Sequence, residues 1–257
     1  MDEKALVHLL SYGLTWEKLR RIPEEHLAAL SVISYAASEL NALRRIYLTQ
    51  PHEPCDVKPV DSAASIQKLV ILRSWSSKLF EVAEFVEFGG RKPTTSDSKL
   101  LALSSRAVES FSELKSGEGY QVARIVRHEA SNHYSFSAAK KNLPNVPKNM
   151  DCDFYVGEMG GNSFFPLGEA VMFHARLSRK WAAIEPSEQR QKLFEEWLDW
   201  CLKASRWVDE VHADFADQLL FEAFKDRKFK KKVYWVPLEY VGHHSEHTTP
   251  VFLKKEP

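Results

Sequence analysis

Between Gly119 and Phe136 the chain reads Gly-Tyr-Gln-Val-Ala-Arg-Ile-Val-Arg-His-Glu-Ala-Ser-Asn-His-Tyr-Ser-Phe. Arg124, Arg127, His128, Glu129, Asn132 and His133 crowd hydrogen-bonding and ionisable groups into one short stretch. An imidazole, with an ordinary pKa of about 6.5, takes up or returns a proton near neutral pH. A guanidinium stays charged and pairs two N–H groups with the oxygens of a phosphate or carboxylate. Together they suit proton transfer beside a bound anion. The bland alternative is a solvated helix face with incidental polar residues.

The element that must position these groups is a helix. Glycines at 117 and 119 open it, as they often open a helix–helix connection, and no breaker interrupts it before the polar tail after Phe136. Val122, Ile125 and Val126 are spaced to share one buried stripe. On an ideal helix the step from Arg127 to His133 turns through about 600°, leaving the two side chains roughly 120° apart. That angle favours a site completed by a second protomer. Glu129 stands four residues before His133, where it either orients the imidazole and raises its pKa or forms a plain surface pair. Asn132 has the same spacing from His128.

With 257 residues the chain can bury a large core. Lys plus Arg, at 35, balances Asp plus Glu, at 35, so overall charge neither favours nor excludes nucleic acid. No apolar run approaches the roughly 18 residues that a membrane span needs. The start, with Asp2, Glu3 and Lys4, does not resemble a secretory signal. Three widely separated cysteines, Cys55, Cys152 and Cys201, form neither a disulfide framework nor a metal motif. Reduced thiols in a cytoplasmic protein are the simplest expectation, with no cofactor.

In chain order, Leu6 to Tyr12 and Trp16 to Ile22 read as short helical pieces, Thr15 being a candidate N-cap. Pro23 opens a long helix to about Leu48, and three prolines mark a loop over Gln50 to Pro59. A helix from Ser62 to about Phe88, capped by Asp61, stops at Gly89-Gly90. Another runs from Ser96 or Asp97 to about Lys115. Ser137 to Asp151, with Pro144 and Pro147, reads as a flexible basic loop carrying Lys140, Lys141 and Lys148. Asp153 to Val156 suits a short strand, and Gly157 to Gly168 a turn-rich segment. Helical spacing returns from Glu169 to about Ile184 and again from Pro186 to Phe224, with a bend or break expected near Ser205. Lys232 to Val236 alternates as a strand, as do residues near Val251 to Leu253, which together suggest a small hairpin. The fold class is therefore mainly α, a helical bundle in a single domain over 1–257 with a small irregular or β addition near the C-terminus. The core bundle is expected at about 23–136, joined by helices at about 169–225.

Arg127, five intervening residues and His133, with the polar His128 directly after the arginine, resemble the Arg-x(4–6)-His signature of the HEPN superfamily of helical bundles. The resemblance covers about Ile33 to Phe136 by helix order and the motif alone by residue identity. It implies metal-independent RNA cleavage of a toxin or phage-defence kind, by a homodimer. The competing expectation for this chain is a non-catalytic helical interaction module, an inactive HEPN-like regulatory partner; a neutralising partner protein is a further expectation. Under the resemblance, His133 is the general base or acid, Arg127 the phosphate clamp and His128 a supporting donor or second proton carrier. Glu129, Asn132 and Arg124 support them, and Lys140, Lys141 and Lys148 meet the RNA. The ends left would be a 2′,3′-cyclic phosphate and a 5′-hydroxyl. Some members carry a tyrosine two residues after the motif histidine. Here that position is Ser135, while Tyr134 follows His133 directly.

Two other clusters invite chemistry. Lys225 to Lys232 is a basic run that either tracks a nucleic-acid backbone or ends a helix favourably against its dipole. His243, His244, Glu246 and His247 have the donor types of a zinc site. However, they lack the His-Glu-x-x-His order and sit between Gly242 and Pro250, which signals a loop. The tryptophans, among them Trp197, Trp200 and Trp207, are assigned to core and interface.

Overall fold

A computed structural model describes residues 8–51, 53–90, 92, 94–129, 135–158, 161–180, 187–225, 229–236, 241–243, 246 and 248–252. The fold is mainly α-helical with a small two-stranded sheet. In order it runs β1 (His8–Tyr12), α1 (Trp16–Leu19), α2 (Glu24–Leu48), α3 (Lys58–Val86), α4 (Ser98–Glu113) and α5 (Gly117–Glu129). It continues with α6 (Phe136–Asn142), a 3-10 turn (Leu143–Asn145), α7 (Pro166–Glu169), a π-helical turn (Ala170–His174), α8 (Ala175–Lys180) and α9 (Ser187–Phe215). A second π turn (Ala216–Phe221), a 3-10 turn (Glu222–Phe224) and β2 (Lys231–Trp235) follow. Among the described residues no helix is long and apolar enough to cross a membrane.

The chain divides into two compact units, to both of which α2, α3 and α9 contribute residues. The first comprises Met1–Ala42, Lys78–Glu113 and Ala204–Glu246. Its core is built on Ile33, Leu79, Val86, Leu100 and Phe215, all essentially solvent-free. Trp207 is held in one orientation because its indole N–H donates to the carbonyl of Ala107 and to Ser110 Oγ, both at 3.1 Å. The α3 helix ends where expected. Phe88 and Gly89 take positive φ values of 44° and 86°, and a Cβ on Gly89 would meet the Lys92 carbonyl at 2.3 Å. The α4 helix is capped by Asp97, whose Oδ1 accepts from Leu100 N–H at 2.9 Å. That bond and His26 hold the Asp97 carboxyl below its ordinary pKa.

The small sheet differs from the expected hairpin. The partner of β2 is β1, antiparallel, with His8 opposite Trp235 and Tyr12 opposite Lys231. His8 to Tyr12 therefore forms a strand where a helical piece over Leu6 to Tyr12 was expected, Leu6 lying outside the described residues. A stretch this short, ending at Gly13, is a poor helix nucleus, whereas pairing satisfies its backbone groups. Tyr12 also packs edge-on against Phe221 and Phe229.

The second unit comprises Leu43–Ser77, Leu114–Lys203 and His247–Pro257. Trp75, Phe173 and Trp197 anchor its core. Arg73 forms a two-pronged pair with Glu169, at 2.5 and 2.9 Å, and its guanidinium lies 5.4 Å from the Phe173 ring centre. The pair fastens α7 and the following π turn to α3. The α3 helix begins at Lys58, four residues before the expected start, because Pro59 suits a first turn. Asp61 then lies inside that turn and accepts from Cys55 N–H at 2.8 Å. At the same helix end, Asp151 accepts from Ser62 Oγ at 2.5 Å and from the Tyr155 hydroxyl at 3.1 Å. Lys58 Nζ lies 3.2 Å from Asp151 and 2.6 Å from Asp153. Tyr155 forms an isolated bridge with Phe164 in place of a longer strand.

Ser137 to Asp151 is not one flexible loop. It contains most of α6 and the 3-10 turn, and α6 packs on the π turn and α8. Ser135 makes this helix possible, its Oγ accepting from Ala138 N–H at 3.2 Å. Likewise α9 runs unbroken past Ser205, which is buried between Ala204 and Trp207, and the register changes at Ala216 instead.

The Asp151 clasp sets a pH dependence. Burial pushes the carboxyl pKa up, but Ser62, the Asp153 N–H, Lys58 and Tyr155 outweigh it and hold it at about 2. A carboxyl depressed in the folded state stabilises above its ordinary pKa, near 3.8, and that contribution fades as pH falls towards 2. Amide protection over 151–158, corrected for the intrinsic exchange rate at each pH, should therefore fall in that acid window. Asp151→Asn should show the lower protection already at neutral pH; equal protection in both proteins at pH 7 would remove the clasp from the account.

Candidate functional site

The helix that carries the predicted chemistry is fixed by one close approach. A Cβ placed on Gly119 would lie 2.1 Å from the Glu196 carbonyl oxygen and 3.0 Å from Trp200 Cβ, so only glycine lets α5 settle this deeply against α9. Trp200 closes the contact. Its indole N–H donates to the Leu114 carbonyl at 2.9 Å, and its ring lies 6.0 Å from that of Tyr120. Val122, Ala123 and Val126 are buried along the inner face. Ile125, expected to share this stripe, is only half-buried, and Ala123 takes its place.

On the scaffold so fixed, Arg124 is exposed and Arg127 half-buried. Their spacing of three puts them on one side of the helix, with Arg127 in the last described turn. His128 and Glu129 belong to α5 by their backbone, but their side chains lie outside the described residues, as do Asn132 and His133 entirely. The expected uninterrupted helix to Phe136 is replaced by two. Ser135 has extended backbone, φ −113° and ψ 113°, and caps the separate helix α6. A serine hydroxyl that satisfies the first amides of a new helix cannot also sit inside a continuing one. His133 lies outside the described residues, as does the expected rotation of about 120° between it and Arg127.

Lys140 and Lys141 stand exposed in the last turn of α6, where cations meet the helix dipole favourably. The Lys140 ammonium lies 5.8 Å from the Phe136 ring centre. Lys148 is exposed in the turn that follows the 3-10 segment. Of the C-terminal histidine cluster, His243 donates its backbone N–H to Glu246 Oε2 at 3.2 Å, while His244 and His247 lie outside the described residues. Among the described residues no three His, Cys, Asp or Glu side chains stand where a metal ion could be held. Cys201 is buried, and burial drives its thiol pKa well up, away from thiolate chemistry.

Sequence reasoning missed the polar constellations of the second unit. Arg73 and Glu169 are 96 positions apart, and Lys58 and Asp153 are 95 apart. No local spacing rule reaches that far. It also missed a cavity lined by Lys68, His174 and Phe194.

Gly119→Ala isolates the α5–α9 contact. In an open helix this change stabilises by about 0.5–1 kcal/mol. Here the added methyl must push two helices apart, at a cost of about 1–3 kcal/mol. Urea unfolding should show a net loss of stability, and an unchanged or higher midpoint would refute the close approach. Comparison of the chain with protein-family models, with curated proteins and with solved structures finds no match.

Proposed function

We propose that this chain is a cytoplasmic, metal-independent endoribonuclease of HEPN type, acting in toxin or phage defence as a homodimer. The observation that supports this reading is that Arg124 and Arg127 share one side of α5, anchored by Gly119 and Trp200, with Arg127 six residues before His133 in sequence. A guanidinium on a fixed backbone is pre-oriented for phosphate oxygens, which is where charge builds as a phosphodiester is attacked.

RNA brings its own nucleophile, the 2′-hydroxyl. In the proposed step His133 takes the proton of that hydroxyl, and the oxygen attacks the adjacent phosphorus. The bond from phosphorus to the 5′-oxygen then breaks, and the leaving oxygen receives a proton from His128 or solvent. Arg127 balances the charge on the non-bridging oxygens. Glu129 and Asn132 hold the imidazoles, while Arg124, Lys140, Lys141 and Lys148 meet the flanking backbone, a role that screening by salt weakens. A neutralising partner would act by covering this surface. A second reading, a non-catalytic helical interaction module, is favoured by Phe136 and Val156, which are 82% and 81% exposed.

Purified chain incubated with single-stranded RNA in EDTA should release fragments ending in 2′,3′-cyclic phosphate and 5′-hydroxyl groups. Arg127→Ala and His133→Ala should each slow cleavage by about 100-fold or more. Cleavage that survives both changes would move the chemistry elsewhere, and RNA left intact by wild-type protein would favour the interaction module.

A further inference from the structure

The second unit contains a cavity of about 370 Å³ that the α5 chemistry does not use. Its walls come from four elements: Tyr47 of α2, Lys68 and Leu72 of α3, His174 of the first π turn, and Phe194 and Leu198 of α9. The volume lies in the range of small-molecule sites, roughly 300–1,000 Å³, and at the small end of it.

One wall is aromatic. Phe194 lies 6.1 Å from His174 by ring centres and is backed by Phe173 and Trp197, at 5.9 and 6.1 Å. Phe173 and Trp197 are fully buried, so the face that Phe194 and His174 present is stiff. The π turn that delivers His174 follows directly on Glu169, which Arg73 grips with both prongs. Such π turns recur at functional sites because they displace one side chain from its helical position.

The charged groups of the lining are Glu195, whose carboxylate accepts from Gln191 Nε2 at 2.9 Å, and Lys68. Lys68 is half-buried and makes no hydrogen bond within the described residues, and Asp61 acts on it through charge alone. Burial lowers its pKa from the ordinary lysine value. An anion arriving in the cavity would give this ammonium a charge-assisted hydrogen bond, which Asp61 does not.

We propose that the cavity binds a small anionic molecule with a planar ring, its phosphate or carboxylate on Lys68 and its ring against Phe194 and His174. Arg127 does not line the cavity, so the proposal stands whether or not the chain cleaves RNA.

Calorimetric titration of the intact chain with adenosine 5′-monophosphate and with 4-hydroxybenzoate tests both anion types on a ring. Adenosine and inorganic phosphate are the ring-only and anion-only controls. At least one ring-bearing anion should bind saturably and at least about tenfold more tightly than either control, as expected for one charge-assisted contact. Lys68→Met should weaken that binding about tenfold or more, while Lys68→Arg and Arg127→Ala leave it within a few-fold. Phe194→Ala should weaken it too. In wild-type protein the bound ligand should slow acylation of the Lys68 amine, read by peptide mass spectrometry, which needs no variant to fold. Failure of both ring-bearing anions to bind overturns the proposal. So does equal binding by either control, or binding that leaves Lys68 acylation unprotected.

Discussion

The contact between Gly119 and the Glu196 carbonyl is the constraint on which the chemistry-bearing helix depends. At this distance a side chain on α5 would occupy the space of a backbone atom on α9. Removing that one Cβ lets two helices meet backbone to backbone, and it lets Val122, Ala123 and Val126 reach the core. The Trp200 indole then fixes the entry of α5 by binding the Leu114 carbonyl, one of the groups a helix connection leaves without an internal partner. Arg124 and Arg127 take their place on the backbone that this packing fixes.

Elsewhere in the second unit, polar clasps do what a regular sheet or bundle would do by repetition. Short elements such as α7, the 3-10 turn and the Tyr155–Phe164 bridge are too small to be stable alone. Arg73 with Glu169 ties α7 to α3, and Lys58 with Asp151 and Asp153 ties the segment leading to the bridge to the same long helix, while the 3-10 turn packs on α6 and α8. The Arg73 pair is partly withdrawn from water, where losing one partner strands the other charge and is far more damaging than at the surface. The Lys58 pair is open to solvent, so its effect is local order more than global stability. The π turn that follows Glu169 inherits its position from the first clasp. So does the cavity wall at His174.

Much of the fold was legible because it follows from local rules. The end of α2 at Leu48, the stop of α3 at Gly89-Gly90 and the Asp97 cap of α4 each rest on a residue whose conformational preference acts within a turn of itself. Errors arose where two local readings competed. Ser135 was read as a passenger in a long helix, but its hydroxyl favoured starting a new one. The segment from His8 to Tyr12 had apolar content that fitted a short helix or a strand, and its partner lies more than 200 positions away in β2. Pro144 and Pro147 suggested a loop, although the residues before them had room for two helical turns.

By itself the sequence determined a mainly helical chain, the positions of its long helices and the residue types available for proton transfer and anion binding. It could do so because helix period, caps and breakers act over a few residues, and because side-chain chemistry belongs to the residue and not to its surroundings. The tertiary structure alone decided how deeply α5 seats, which acids meet Lys58 and Arg73, and that Lys68, His174 and Phe194 share one cavity. Those outcomes depend on close packing between residues distant in the chain, where tenths of an ångström separate contact from clash and no spacing rule applies.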